Sequence, residues 1–417
     1  MMNCFQVLLS NSICAATPWL EPCDFAVLAQ VAHQWRAALE GFGLPCAGKR
    51  DAVPLKLADF VGSVERLSWA KDNGCPQGEQ GVTMFAYAAA GGHLDVLMWA
   101  RDEAGCEWDE ATCASAAEGG HLEVLRWARE QGCPWDEETC ASTAGGGHLE
   151  VLQWARAHGC PWSDETCMSA ARGGHLEVLK WVREHCAWNR AWNAYVCEQA
   201  ALGGHLEVLR WAREHGCPWE GDARCSAAAG GGHLEVLKFA REQGCPWGMK
   251  VSREAAKGGH LEVLQWAREH DCPWDGLTCS FAATAGHLEV LMYARAHHCP
   301  WDSRTCHGAA RGGHLEVLRW AREHGCEWTA SVCTGAASCG HLEVLMWARE
   351  HGCEWDSETC AGAARGGHLE VLKWAREHGC PWDIMVFVYA ESGHHIELIM
   401  WAKENGCPGG DEYPLDY

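Results

Sequence analysis

GGHLEVLRWAREHGCPW, residues 203–219, is the stretch on which the reading of this chain turns. Nearly the same words start at Gly119, Gly146, Gly173, Gly231, Gly258, Gly312 and Gly366. Working outward, the histidine marks His93, His121, His148, His175, His205, His233, His260, His287, His314, His341, His368 and His395 are spaced 28, 27, 27, 30 and 28 residues apart, followed by six intervals of 27. A degenerate copy at 61–75 carries Ser63 in the histidine position. Self-similarity at such a period is the signature of an array of small stacked units rather than of separate globular domains. About thirteen units fill roughly residues 51–410 of the 417.

The copy at 133–160 predicts two short helices. Thr139 to Ala144 is small and weakly apolar and is closed by Gly145, Gly146 and Gly147. Beyond His148, residues Leu149, Val151, Leu152, Trp154 and Ala155 recur mostly at helical spacing on one face. Glu150 opens that helix and His158 closes it, each suited to its end of the dipole. Gly159 is the expected left-handed stop, and Pro161 prevents continuation. Helices this short bury their apolar sides only by stacking on the next copy. At about 8–10 Å per packed helix layer, the whole array predicts a curved body on the order of 100–130 Å long.

TCASAAEGGHLEVLRWAREQG, residues 112–132, resembles the ankyrin repeat in its paired alanines Ala116 and Ala117, its step Gly120–His121, and its terminal Gly132. Ankyrin units run 33 residues and these run 27. The missing six fall between Trp135 and Thr139, where ankyrin units place the β-hairpin finger. The resemblance therefore implies an all-α, ankyrin-type helical-repeat solenoid of fingerless helix–turn–helix units. It also implies a protein-binding role through the concave face of the first helices. Three and six residues before the histidine the copies vary most, and these positions would face the groove. Glu118, Arg172, Leu202, Lys257, Phe281, Arg311 and Arg365 are the candidate partner contacts, with the cations among them suited to an acidic or phosphorylated peptide. The unit 183–205 breaks the pattern with an aromatic insertion at Trp192 and Tyr195, a bend, a contact site or the repair of a lost turn.

Residues 1–50 stand outside the repeat. Within 20–39, Leu20, Pro22, Asp24, Phe25, Leu28, Val31, Trp35 and Arg36 resemble the second half of an F-box, which implies docking on a ubiquitin-ligase adaptor subunit. The first F-box helix is not recognisable in 1–19, so the segment is read either as F-box-like or as a cap over the first unit. Residues 411–417 form a short tail.

The 27 cysteines and 24 histidines pose a second reading, a metal-binding or redox-sensitive protein. One thiol series follows the second helix (Cys133, Cys160 and equivalents); another lies eight residues before the histidine, where Phe85, Ser252 and Phe387 also occur. That exchange points to buried volume, since free cysteine packs as a small apolar residue, and structural zinc favours closer C-x2–4-C spacing. Imidazoles copied in every full unit likewise point to packing. Second-helix tryptophans such as Trp127, Trp154, Trp211 and Trp266, which yield to Phe239 and Tyr293, read as core.

A net charge of −23 disfavours nucleic acid and anionic membrane as partners. No apolar run of membrane-spanning length occurs, and the amino terminus lacks the basic region of a signal peptide. No nucleophile elbow, P-loop or dinucleotide fingerprint is present. The expectation is a monomeric, non-enzymatic cytoplasmic or nuclear scaffold with no catalytic residue, cofactor or metal.

Overall fold

The computed structural model of the chain describes residue 64 and residues 81–102, 108–186, 193–218 and 223–410. It divides between residues 192 and 193 into two compact units. Among the described residues the first contains four helical pairs, from Gly81–Ala90 with Leu94–Asp102 to Asp164–Gly173 with Leu176–His185. The second contains eight, from Ala194–Leu202 with Leu206–Glu214 to Met385–Ser392 with Ile396–Glu404. Among the described residues there is no strand. The all-α, ankyrin-type arrangement of helix–turn–helix repeats expected from the sequence is present within each unit, without a hairpin finger among the described residues. The F-box-like residues and Trp192 lie outside the described residues, as do positions 411–417.

Local chemistry sets each pair. Asp109 is extended (φ −137°, ψ −168°) and its carboxylate accepts the Ala111 N–H at 3.0 Å, capping Glu110–Glu118. Asp136 and Asp302 do the same for their helices. Only small residues, Cys113, Ala116 and Ala117, face inward from the first helix. Successive first helices therefore lie side by side, and each second helix packs on the first helix of its own pair. The second helix buries Val124, Leu125 and Ala128, and the later copies bury the same three positions, with Val182 in place of the alanine in one and Leu398, Ile399 and Ala402 in the last. Helices of 8–10 residues are marginal alone, so this stacking is what makes them stable.

The apolar face is narrower than the spacing predicts. In Leu149–Ala157 only Val151, Leu152 and Ala155 are buried, while Leu149 and Trp154 are half-buried. The second-helix tryptophans expected in the core, such as Trp127 and Trp154, are half-buried and pack against it. Trp154 meets the loop Trp135 edge-on at 6.0 Å and stacks on His158 at 4.3 Å, and Arg129 lies 4.1 Å over Trp135. The same Arg–Trp–Trp–His sequence recurs at Arg322, Trp328, Trp347 and His351. It is a ladder of cation–π and edge-to-face contacts lining the space between second helices, replacing burial with ring-to-ring contact.

The pattern-breaking unit also differs in structure. Leu176–His185 ends at Cys186 in an extended conformation (φ −91°, ψ 117°), with no glycine stop. Asn193 caps the helix Ala194–Leu202 by accepting the Tyr195 N–H at 2.9 Å. Tyr195 itself is 59% exposed.

Candidate protein-interaction face

The repeated histidine is a clamp between consecutive helical pairs. His287 Nε2 hydrogen-bonds the Lys257 carbonyl at 3.1 Å, His341 the Arg311 carbonyl at 3.1 Å, and His395 the Arg365 carbonyl at 3.3 Å. His121, His233 and His260 bond Ala90, Leu202 and Gly230 in the same way. These carbonyls belong to the last residue of the preceding first helix, where an α-helix leaves its acceptors open. Each imidazole thus fixes the backbone of one residue in the variable row three positions before the histidine mark.

Burial holds His314 and His368 below the ordinary imidazole value of 6.5, and the neighbouring imidazoles of the row push the same way, against the hydrogen bond each makes to a backbone carbonyl. A base depressed in the folded state binds its proton more tightly when unfolded. Stability from these two groups is therefore intact above the unfolded value and is lost as the pH falls below it. Melting midpoints taken between about pH 7.5 and 5.5 should drop toward acid. The drop should be smaller in a His314→Gln, His368→Gln variant, which keeps an N–H for the carbonyl. An unchanged slope would remove these histidines as its source.

The thiols also serve packing. Cys133 Sγ donates to the Asp109 carbonyl at 3.4 Å and Cys299 Sγ to the Asp275 carbonyl at 3.4 Å, tying the end of each second helix to the cap of its first. A hydrogen bond shared with Cys133, together with burial, pushes the Cys113 thiol far above its ordinary range. Burial, helped by the neighbouring Cys186 and Asp164, pushes Cys167 up to about 12. Where Ser252 replaces the thiol, its hydroxyl lies 3.4 Å from Cys272 Sγ and donates to the Pro273 carbonyl at 2.9 Å. Phe85 and Phe387 are fully buried at the same position, as the exchange predicts. Among the described residues no group of three or more His, Cys, Asp or Glu is placed to hold a metal ion. Of the described cysteines only Cys186 and Cys339 are half-buried. A disulfide-exchange reagent should label these two first and the buried set only with unfolding; fast labelling of Cys133 or Cys299 in the folded chain would contradict the packing role.

The candidate contacts lie where the first helices end. In the first unit Glu118 and Arg172 are exposed. In the second the row reads Leu202, Gly230, Lys257, Thr284, Arg311, Ser338, Arg365 and Ser392, and contains no acid. Leu202 is 38% exposed, and the three cations are exposed. Arg365 lies 4.0 Å over the Tyr389 ring. The row six before the histidine is only partly available, because Phe281 is half-buried and Gly308, Gly335 and Gly362 are buried. A side chain built at Gly308 would meet Thr284 Oγ1 at 2.4 Å, so the neighbouring helix already fills that place.

Two features escaped the sequence reading. Lys250 extends the exposed basic face toward the helix starts. Arg253, by contrast, is engaged with Asp275, its Nε 3.1 Å from Oδ1, and its guanidinium holds that carboxyl below the ordinary range. Arg304 is likewise paired with Asp302 at 2.6 Å. Each second helix of residues 193–410 carries an exposed glutamate (Glu207, Glu235, Glu262, Glu289, Glu316, Glu343, Glu370 and Glu397) beside basic residues that include the exposed Arg210 and Arg319. Lysines on that side are paired with them, as in Lys238–Glu235 (2.7 Å) and Lys373–Glu370 (2.8 Å).

No family model matches the chain, and no curated protein matches it. Among solved structures it is similar to the human ASB11 ankyrin repeat domain, at 19% identity over 39% of this chain and 84% of that one, with a TM-score of 0.32. The architecture described above rests on the packing of the units themselves and not on that superposition.

Proposed function

We propose that this chain is a protein-interaction scaffold that binds its partner through the exposed ends of the first helices. The observation that carries this reading is the acid-free row containing Lys257, Arg311 and Arg365 in a chain of net charge −23. A solvated surface needs no acid-free row, whereas electrostatic complementarity selects and orients a partner. The backbone of that row is clamped by His287, His341 and His395, so the side chains project from fixed positions.

The test compares proteins captured by the full-length chain, by a Lys257→Glu, Arg311→Glu, Arg365→Glu variant, and by a Glu289→Lys, Glu316→Lys, Glu343→Lys variant. Partners lost only with the first-helix variant support the reading. Partners indifferent to it would refute the assignment of the face.

Within this role we place substrate presentation to a ubiquitin ligase, supported by the F-box-like residues Leu20, Pro22, Phe25, Leu28, Val31 and Trp35. The full-length chain should then co-elute with a purified ligase adaptor subunit, and a chain starting near residue 50 or a folded Trp35→Ala variant should not. Absence of a complex with the folded full-length chain would leave residues 20–39 as a cap.

A further inference from the structure

The spacing of the anchors along the row points to one kind of occupant. Leu202, Lys257, Arg311 and Arg365 occur in every second helical pair, while the intervening pairs present Gly230, Thr284, Ser338 and Ser392. The intervening hydroxyls are engaged within their own helices: Thr284 donates to the Ser280 carbonyl at 2.8 Å, Ser338 to Gly335 at 3.0 Å and Ser392 to Tyr389 at 2.9 Å. The row therefore offers one apolar anchor followed by three cations, all in a two-pair register. Packed helices advance by about 8–10 Å per pair, so the anchors recur at about 16–20 Å. An extended chain rises about 3.3 Å per residue, which makes that interval about five to six residues.

Resting on the reading of this face as the interaction surface, we propose that residues 193–410 bind an extended acidic segment of a partner protein. An apolar residue of the segment meets Leu202. Carboxylate or phosphoryl groups spaced about six residues apart meet Lys257, Arg311 and Arg365. The cations suit either anion. Lysine offers a point charge, and arginine a fork that takes two oxygens at once. Arg365 over Tyr389 holds that fork in one orientation. A densely charged polyanion fits less well, because its remaining phosphates would find no cation in the row. A partner protein's segment can leave the intervening positions neutral; a nucleic acid strand cannot.

The register is testable with the full-length protein by fluorescence anisotropy. One labelled peptide of about 20 residues carries a leucine and then glutamate at every sixth position among serine and proline. A second has the same composition with its glutamates at alternate positions. A third places phosphoserine at the registered sites, and a single-stranded oligonucleotide of matched length completes the set. The registered peptides are expected to bind about tenfold or more tightly than the clustered one. That preference should disappear in Lys257→Glu, Arg311→Glu, Arg365→Glu and persist in Glu289→Lys, Glu316→Lys, Glu343→Lys, with thermal melting showing both variants folded. Phosphoserine binding more tightly than glutamate would identify a phosphorylated source, and the reverse a plain acidic one.

Equal affinity for registered and clustered peptides overturns the proposal, as does tighter binding of the oligonucleotide. If the peptides fail while cellular partners are still lost with the first-helix variant, the register is wrong and the face is right. If those partners are retained, the face itself is wrong.

Discussion

Gly259→Ala is expected to destabilise residues 193–410 by about 3–5 kcal/mol, whereas Gly244→Ala should cost only about 1–2 kcal/mol. The two glycines have nearly the same left-handed backbone, φ +76° and +78°, so the conformational strain of a side chain is common to both. They differ in surroundings. A Cβ on Gly259 would lie 2.6 Å from the His287 ring, and one on Gly244 meets nothing within 4 Å. The ring cannot retreat without breaking its hydrogen bond to the Lys257 carbonyl at 3.1 Å. The excess at Gly259 therefore measures the clamp.

Denaturant midpoints of the two variants give the difference, and a cycle with His287→Ala isolates its cause. With the ring absent the extra methyl has room, so Gly259→Ala in the His287→Ala background should cost no more than Gly244→Ala. Equal losses at Gly259 and Gly244 in the wild-type background would show that the clamp is not packed as described. Because the same contact fixes the backbone of Lys257, Gly259→Ala should also weaken the registered peptide.

How much of this was legible in the sequence follows from what repeats. The period placed the units, and the glycine–histidine step placed the turn between helices, since both are local features copied many times. Burial of the thiols was legible from exchange alone: Phe85 and Ser252 at a cysteine position require volume rather than a ligand, and both are buried. The destination of each histidine was not legible, because its acceptor lies about 30 residues away, as from His287 to Lys257, and depends on how consecutive pairs stack. The tryptophans misled for a related reason. A large apolar side chain at helical spacing reads as core, but small inner faces such as Ala116 and Ala117 bring the helices together on Val, Leu and Ala and leave the indoles at the margin.

The candidate face was half visible. Variation between copies located Lys257, Arg311 and Arg365, yet charge alone did not separate free cations from engaged ones. Arg253 and Arg304 differ from Lys250 only through Asp275 and Asp302, which structure brings within reach. The exposed glutamate of every LEV copy was legible only as a partner of the helix dipole, because a residue that repeats in each copy looks like part of the scaffold.

Leu291→Ala, in the middle of the second unit, should cost about 3–4 kcal/mol, at the upper part of the range for a fully buried leucine. Ile399→Ala, at the equivalent position of the terminal pair, should cost nearer 2 kcal/mol, because Ile399 retains 6% exposure while Leu291 has none. The consequences should differ more than the energies. In a stacked array stability is the sum of unit terms and nearest-neighbour terms, so each pair depends on both neighbours. Weakening Leu288–Ala296 removes support from the pairs on either side and divides the cooperative stretch. Residues 193–273 and 300–410 should then exchange their amide hydrogens with separate free energies and unfold in two steps. Ile399→Ala has a described neighbour on one side alone and should only fray Ile396–Glu404, leaving the main transition single. If both variants merely shift one transition, the eight pairs form a globally cooperative body. In that case a partner bound at Arg365 would be coupled energetically to the contacts of Leu202; if the transition divides, each anchor of the row acts through its own neighbours.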